Sequence, residues 1–89
     1  MKDTPNFGLA LGQVMREHRE KRTMTRKQLA AEIGGSVSHI KAIEVRNRNP
    51  TITVFTLIAE AFGIEPEALL YEVRQRQAYL NDKTRVGQE

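Results

Sequence analysis

The chain contains no cysteine and no tryptophan among its 89 residues, and only two tyrosines and three phenylalanines. Without cysteine there is no disulfide framework, no thiolate metal site and no cysteine nucleophile. That composition suits a reducing compartment. No apolar run approaches the length of a membrane span. Met1–Pro5 opens without the apolar segment of a signal peptide. A cytoplasmic protein with no membrane association is therefore expected. Proline is scarce, at three residues, so long stretches are open to helix. A single domain of this length buries only about 60–65% of the surface its unfolded chain exposes. Such a core leaves no room for a deep catalytic cleft.

Charge is modest in sum, at +3, but unevenly placed. Between Gln13 and Pro50 stand nine bases (Arg16, Arg19, Lys21, Arg22, Arg26, Lys27, Lys41, Arg46 and Arg48) against four acids, Glu17, Glu20, Glu32 and Glu44. Thr51–Val73 carries Glu60, Glu65, Glu67 and Glu72 and no base. One side suited to a polyanion and another turned away from it would give this division, and so would unrelated surface charge.

Apolar periodicity indicates five helices. Phe7, Leu11, Val14, Met15 and His18 mark a first helix over about Phe7–Arg22, weakened locally by Gly8 and Gly12 and closed by a cationic turn. Thr25 and Gln28 form a capping-box pattern before Leu29, Ala30 and Ile33. Gly34-Gly35 ends that second helix, and Ser36 caps a third over Val37–Val45 with Ile40 and Ile43 inward. Arg46–Pro50 has the composition of a turn. Thr51 or Thr53 caps a fourth helix carrying Ile52, Phe55, Ile58, Ala59 and Phe62. Pro66 opens a fifth, whose stripe of Leu69, Leu70, Val73 and Leu80 extends to about Asn81. The expected organisation is a disordered lead at 1–6, a domain at 7–70, and a helical extension with a frayed tail at 71–89.

Residues Arg26–Val45 form a twenty-residue unit with Ala30 at its fifth place, Gly34 at its ninth, and Ile40 and Ile43 at its fifteenth and eighteenth. Around it lie Met15-x-x-x-Arg19, Met24-Thr25-Arg26-Lys27-Gln28-Leu29-Ala30, Ile33-Gly34, Ser36-x-Ser38-x-Ile40-x-x-Ile43-Glu44, Arg48-Asn49-Pro50, Leu57-Ile58-Ala59-x-Ala61-Phe62-Gly63-Ile64 and Leu69-Leu70. In this order and spacing the sequence resembles the phage Cro and repressor (Xre) family of helix-turn-helix DNA-binding domains, from about Leu11 to Leu70. The resemblance implies an all-α, compact five-helix domain, here with an extended C-terminal helix. Its function would be that of a sequence-specific regulator, repressor-like, of prokaryotic or phage type and working at the nucleoid.

Carried over residue by residue, the resemblance places Val37, Ser38, Lys41 and Ala42 against base edges in the major groove. It places Arg26, Gln28, Ser36, Arg46, Asn47 and Arg48 on the DNA backbone, with His39 at the rim of the third helix facing phosphate, a base or solvent. Arg19 and Glu44 would form a structural ion pair. Thr23 stands where the family often has glycine. Val45 and Arg46 stand where arginine and then glycine are common. His18 replaces a usual leucine and reads as a core histidine. Two separated histidines without matching acids or cysteines do not make a metal site, and no cofactor is expected. With no phosphate loop and no paired histidine and acid, an enzyme is not expected. The partners implied are double-stranded DNA and a second copy of the chain, as a homodimer on half-sites roughly 34 Å apart. Val73, Tyr79 and Leu80 are the candidate dimer interface, while Leu69 and Leu70 read as core. The competing reading is a protein-interaction module, or an antitoxin holding a toxin through its fourth and fifth helices or its tail.

Overall fold

Three local hydrogen-bonding devices set the helix starts. In the computed structural model, which describes residues 4–87 and side chains through Lys83, the helices are α1 (Phe7–Lys21), α2 (Arg26–Ile33), α3 (Val37–Val45), α4 (Ile52–Ala61) and α5 (Pro66–Gly87). Thr25 Oγ1 accepts from the Gln28 backbone N–H at 3.0 Å, and Gln28 Oε1 accepts from the Thr25 N–H at 2.8 Å. Both free donors at the start of α2 are thereby satisfied. Ser36 Oγ accepts from His39 N–H at 3.1 Å, and Thr51 Oγ1 from Val54 N–H at 3.2 Å.

The turns out of α1 and α2 share one geometry. After α2, Gly34 takes φ +69°, and Gly35 N–H reaches back to the Ala30 carbonyl at 2.8 Å. After α1, Met24 N–H reaches Arg19 O and Thr23 N–H reaches Glu20 O, both at 3.0 Å. The residue at the left-handed position there is Thr23, at φ +53°. The turn thus closes in the usual way despite the missing glycine. A β-branched residue bears the steric cost.

The core is one cluster drawn from all five helices. Leu11 and Met15 of α1, Leu29 of α2, Ile40 and Ile43 of α3, Ile58 of α4, and Leu69 and Val73 of α5 are fully buried. Each such aliphatic chain contributes about 1.5–3 kcal/mol by leaving water. α1 crosses α3 unusually closely. A Cβ at Gly12 would lie 2.9 Å from the carbonyl oxygens of Ile43 and Glu44, and one at Gly8 would run into the carbonyl of Asn47. The two glycines that lower helix propensity therefore let α1 rest directly on the backbone at the end of α3.

α5 departs most from expectation. It continues to Gly87, and its second half lies antiparallel along α1. Arg76 donates to Gln13 Oε1 at 2.9 Å and to Glu17 Oε1 at 2.8 Å. The Arg76 hydrogen bond holds the Glu17 carboxyl below its usual range, against the opposing effect of burial. Val73, assigned above to a dimer interface, has no exposed surface. It stands one turn after Leu69 on the stripe that α1 covers. Leu80 is half-buried against the same core, and of the three assigned residues Tyr79 alone is exposed. Leu70, assigned to the core, is 41% exposed. The lead is ordered from Thr4: Gln77 Nε2 donates to the Pro5 carbonyl at 3.0 Å, and Asn6 Nδ2 donates to Asn81 Oδ1 at 2.8 Å. Residues 4–6 and the second half of α5 thus hold to each other and to α1 through these contacts. Positions 1–3 of the proposed lead lie outside the described residues.

Helix propensity and packing oppose each other at Gly12. Propensity alone makes Gly12→Ala stabilising by up to about 1 kcal/mol. The contact with α3 makes it destabilising by about 1–3 kcal/mol, because backbone on backbone has no rotamer to yield. A lowered urea midpoint is the expected result. Thr23→Gly has the opposite sign. It relieves about 1–2 kcal/mol of left-handed strain and loses about half of that to unfolded-chain entropy. A thermal melt should therefore show a net gain of about 0.5–1 kcal/mol.

Candidate nucleic-acid interface

One carboxylate fixes the position of α3. Glu44 lies at its C-terminal end with a side chain only 1% exposed. Arg19 of α1 grips it with two nitrogens, Nε to Oε2 at 2.9 Å and Nη2 to Oε1 at 3.1 Å. The third nitrogen, Nη1, donates to the Met24 carbonyl at 2.9 Å in the α1–α2 turn. Arg26, in the first turn of α2, adds Nε to Oε1 at 3.1 Å. The hydrogen bond to Glu44 raises the Arg19 pKa from its ordinary value, outweighing burial. Three helices and a turn thus close on one acid. Arg26, assigned from the resemblance to the DNA backbone, spends one donor on this lock and keeps the rest of its guanidinium.

With α3 held from behind, its other side is open. Val37 is 44% exposed, Ser38 and Lys41 are exposed, and Ala42 is half-buried. Val45 is also exposed, one turn beyond Lys41. Val37, Lys41 and Val45 follow at intervals of four, so they form one stripe. The sequence reading left Val45 out of the face, although the spacing from Lys41 carries the signal. The Ser36 hydroxyl oxygen caps α3, and its O–H remains a donor. Gln28 uses its carbonyl oxygen in the capping box and keeps its amide N–H groups. His39 is half-buried between these positions.

The loop after α3 turns on Asn47, at φ +58°, and Arg48 N–H returns to the Ala42 carbonyl at 3.1 Å. The left-handed position in this loop is held by an asparagine, which tolerates it. Asn47 therefore has a structural task beneath Gly8, whatever else it contacts. Arg46 and Arg48 on either side are exposed. Among the described residues, Lys27, Lys41, Arg46 and Arg48 make no ion pair.

His18 lies elsewhere, in the seam between α1, α4 and α5. Its Nδ1 accepts from Arg22 Nη1 at 2.9 Å, which leaves the proton on Nε2 to be donated to Glu72 Oε2 at 2.5 Å. Its ring stacks on Phe62 at 5.4 Å, and the Arg22 guanidinium lies 5.1 Å from the same ring. Both nitrogens are satisfied, as expected of a core histidine. The acid partner, 54 positions away, was not foreseen and corrects the reading that no histidine is paired with an acid. The ring's stacking on Phe62 and its two satisfied nitrogens give the pair the geometry of a packing contact. Among the described residues no group of three metal-ligating side chains occurs, and no helix is long and apolar enough to cross a membrane.

The lock is separable by mutation. Glu44→Ala strands two arginine charges, and equilibrium unfolding should show a loss of about 3–5 kcal/mol. Arg26→Ala leaves the two-pronged Arg19 contact intact and should cost less than about 1 kcal/mol.

Comparison with known proteins agrees with this geometry. A helix-turn-helix family model matches residues 15–69, spanning the lock, the open face and α4. The immunity repressor protein of Bacillus phage phi105 is 31% identical over 78 residues, which cover 84% of this chain and 54% of the repressor. The chain thus spans about half the length of that relative. Among solved structures, the clp gene regulator ClgR from Corynebacterium glutamicum superposes with a TM-score of 0.85 at 19% identity, covering 97% of this chain and 92% of that one. A point mutant of the restriction–modification controller C.Esp1396I, bound to its highest-affinity operator site, superposes with a TM-score of 0.74 at 21% identity, covering 81% and 95%. The chain belongs to the helix-turn-helix family of the Cro and repressor (Xre) type.

Proposed function

We propose that the protein is a sequence-specific double-stranded DNA-binding regulator that sets α3 in the major groove. One observation carries the reading: among the described residues the outward stripe of α3 stays exposed, and cations without an ion pair flank it at Lys27, Arg46 and Arg48. Cations left unpaired beside an exposed helix suit phosphates on either side of a groove. Val37, Ala42 and Val45 offer only apolar contact, suited to thymine methyl groups. Ser38 and Lys41 supply hydrogen bonds. A face this mild in chemistry relies on DNA shape alongside base contacts. The phage repressor relative and the operator-bound controller support the reading by family and by fold. The protein acts by binding, as a homodimer, in the cytoplasm at the nucleoid.

Fluorescence anisotropy on labelled duplexes, between about 50 and 200 mM salt, tests it. Affinity should fall steeply and linearly on logarithmic axes. Arg48→Ala should weaken every duplex alike and flatten the slope by about one unit. Ser38→Ala and Lys41→Ala should instead reorder preferences among duplexes selected from a random pool. Negligible affinity at low salt, or no salt dependence, would overturn the proposal.

A further inference from the structure

Two arginines meet one acid at the end of α3, and they meet it differently. Arg19 places all three guanidinium nitrogens inside the fold, two on Glu44 and one on the Met24 carbonyl. Its side chain is 11% exposed. Arg26 reaches the same carboxylate with Nε alone, at 3.1 Å, and its side chain is 31% exposed. Among the described residues, Nη1 and Nη2 of Arg26 make no hydrogen bond. One negative charge thus faces two positive ones, and the cluster keeps a positive excess. That excess sits on the arginine that has free donors and a path to solvent.

The fold needs Arg26 little, since the Arg19 grip holds Glu44 without it. The contact matters more for what it does to Arg26. A guanidinium can present two edges to an oxyanion, Nε with one Nη or the two Nη together. With Nε on Glu44, the Nη1–Nη2 edge remains, a planar fork that matches two phosphate oxygens. Glu44 is itself pinned by Arg19, so the anchor does not move with the side chain it holds. Fixing a long side chain in advance removes rotamer freedom that would otherwise be lost on binding. Lys27, the next residue, is exposed and makes no ion pair among the described residues, so its charge has no such anchor.

We infer that Glu44 has a second task beyond the lock: through Nε it positions Arg26, so that the Nη1–Nη2 edge takes one DNA phosphate in a preset fork. Arg26 is the contacting group, and Glu44 is a positioning residue that acts through it. The inference deepens the proposed DNA reading and rests on it.

Anisotropy on a labelled mixed-sequence duplex, over a salt series, tests it with Arg26→Ala and Arg26→Lys. Thermal melts of both variants should stay close to that of the unaltered protein and confirm folding. Arg26→Ala should flatten the salt slope by about one unit. Arg26→Lys keeps the charge and the slope but lacks the fork, so its affinity should fall about fivefold to tenfold at every salt concentration. A role confined to the fold would instead lower the melts and leave both slopes alone. NMR of the Arg26 side chain gives a readout separate from affinity. Its Nε–H should be sheltered from solvent exchange in the free protein and stay sheltered when duplex is added, while the Nη signals shift. Arg26→Lys binding as tightly as the unaltered protein, an unchanged slope in Arg26→Ala, or an Nε–H that loses its shelter on adding duplex would each overturn the inference and leave DNA binding standing. A protein with no duplex affinity at low salt would instead sink the DNA reading, and this inference with it.

Discussion

A carboxylate with almost no solvent contact must have its charge answered from within the fold. At Glu44 the answer comes from two arginines on two other helices. Removing one partner from such a pair costs more than the pair contributes, so its main effect is on geometry. The bidentate grip of Arg19 sets the angle between α1 and α3. Its third nitrogen ties down the α1–α2 turn, and Arg26 draws in the start of α2. α3, the helix proposed to read bases, is thus located from behind by charge and hydrogen bonds, while its front is left open. Apolar burial holds the helices together, and the lock fixes how they lie.

The division of polar groups follows from this. The pairs Arg16–Glu20, Glu17–Arg76 and His18–Glu72 all involve α1, and none involves a residue of α3. Among the described residues the cations at Lys27, Lys41, Arg46 and Arg48 make no ion pair. A surface cation without an acid partner gives up little by meeting phosphate, because no internal pair has to break first. The same fold that stabilises itself through paired charges keeps its unpaired ones for another molecule.

Much of the architecture was legible because its signals are local. Thr25, Ser36 and Thr51 cap helices through atoms three residues away, and that spacing is visible in the chain. The apolar stripes named the core except at Ile52 of α4, which is 76% exposed, and at two places on α5. Val73 shares a stripe with Leu69, but the surface covering it comes from α1, and Leu70 lies a third of a turn away from that surface. The Arg19–Glu44 contact came from family resemblance. Arg26's share in it did not, because a three-way closure depends on how helices meet. Gly8 and Gly12 were misread as weaknesses for the same reason: propensity is a property of one helix, and their role is a contact between two. Glu72 could not be matched to His18 across 54 positions by any pattern. At the candidate interface the exposed positions of α3 followed from periodicity. The loop geometry did not, since Asn47 takes the left-handed position and nothing in the pattern singled it out.

The direct seating of α1 on the carbonyls of Ile43, Glu44 and Asn47 has one more consequence. Helices separated by side chains can shift when those side chains change, so a substitution in one place tilts a neighbour. Two backbones in contact have no such intermediary. The tilt of α3 is therefore insulated from the residues it displays. On the proposed reading, variation at Val37, Ser38 and Lys41 would change which sequence is read without changing how the reader is held. The fold behaves as a fixed mount with an exchangeable face, and the two glycines are what keep the mount rigid.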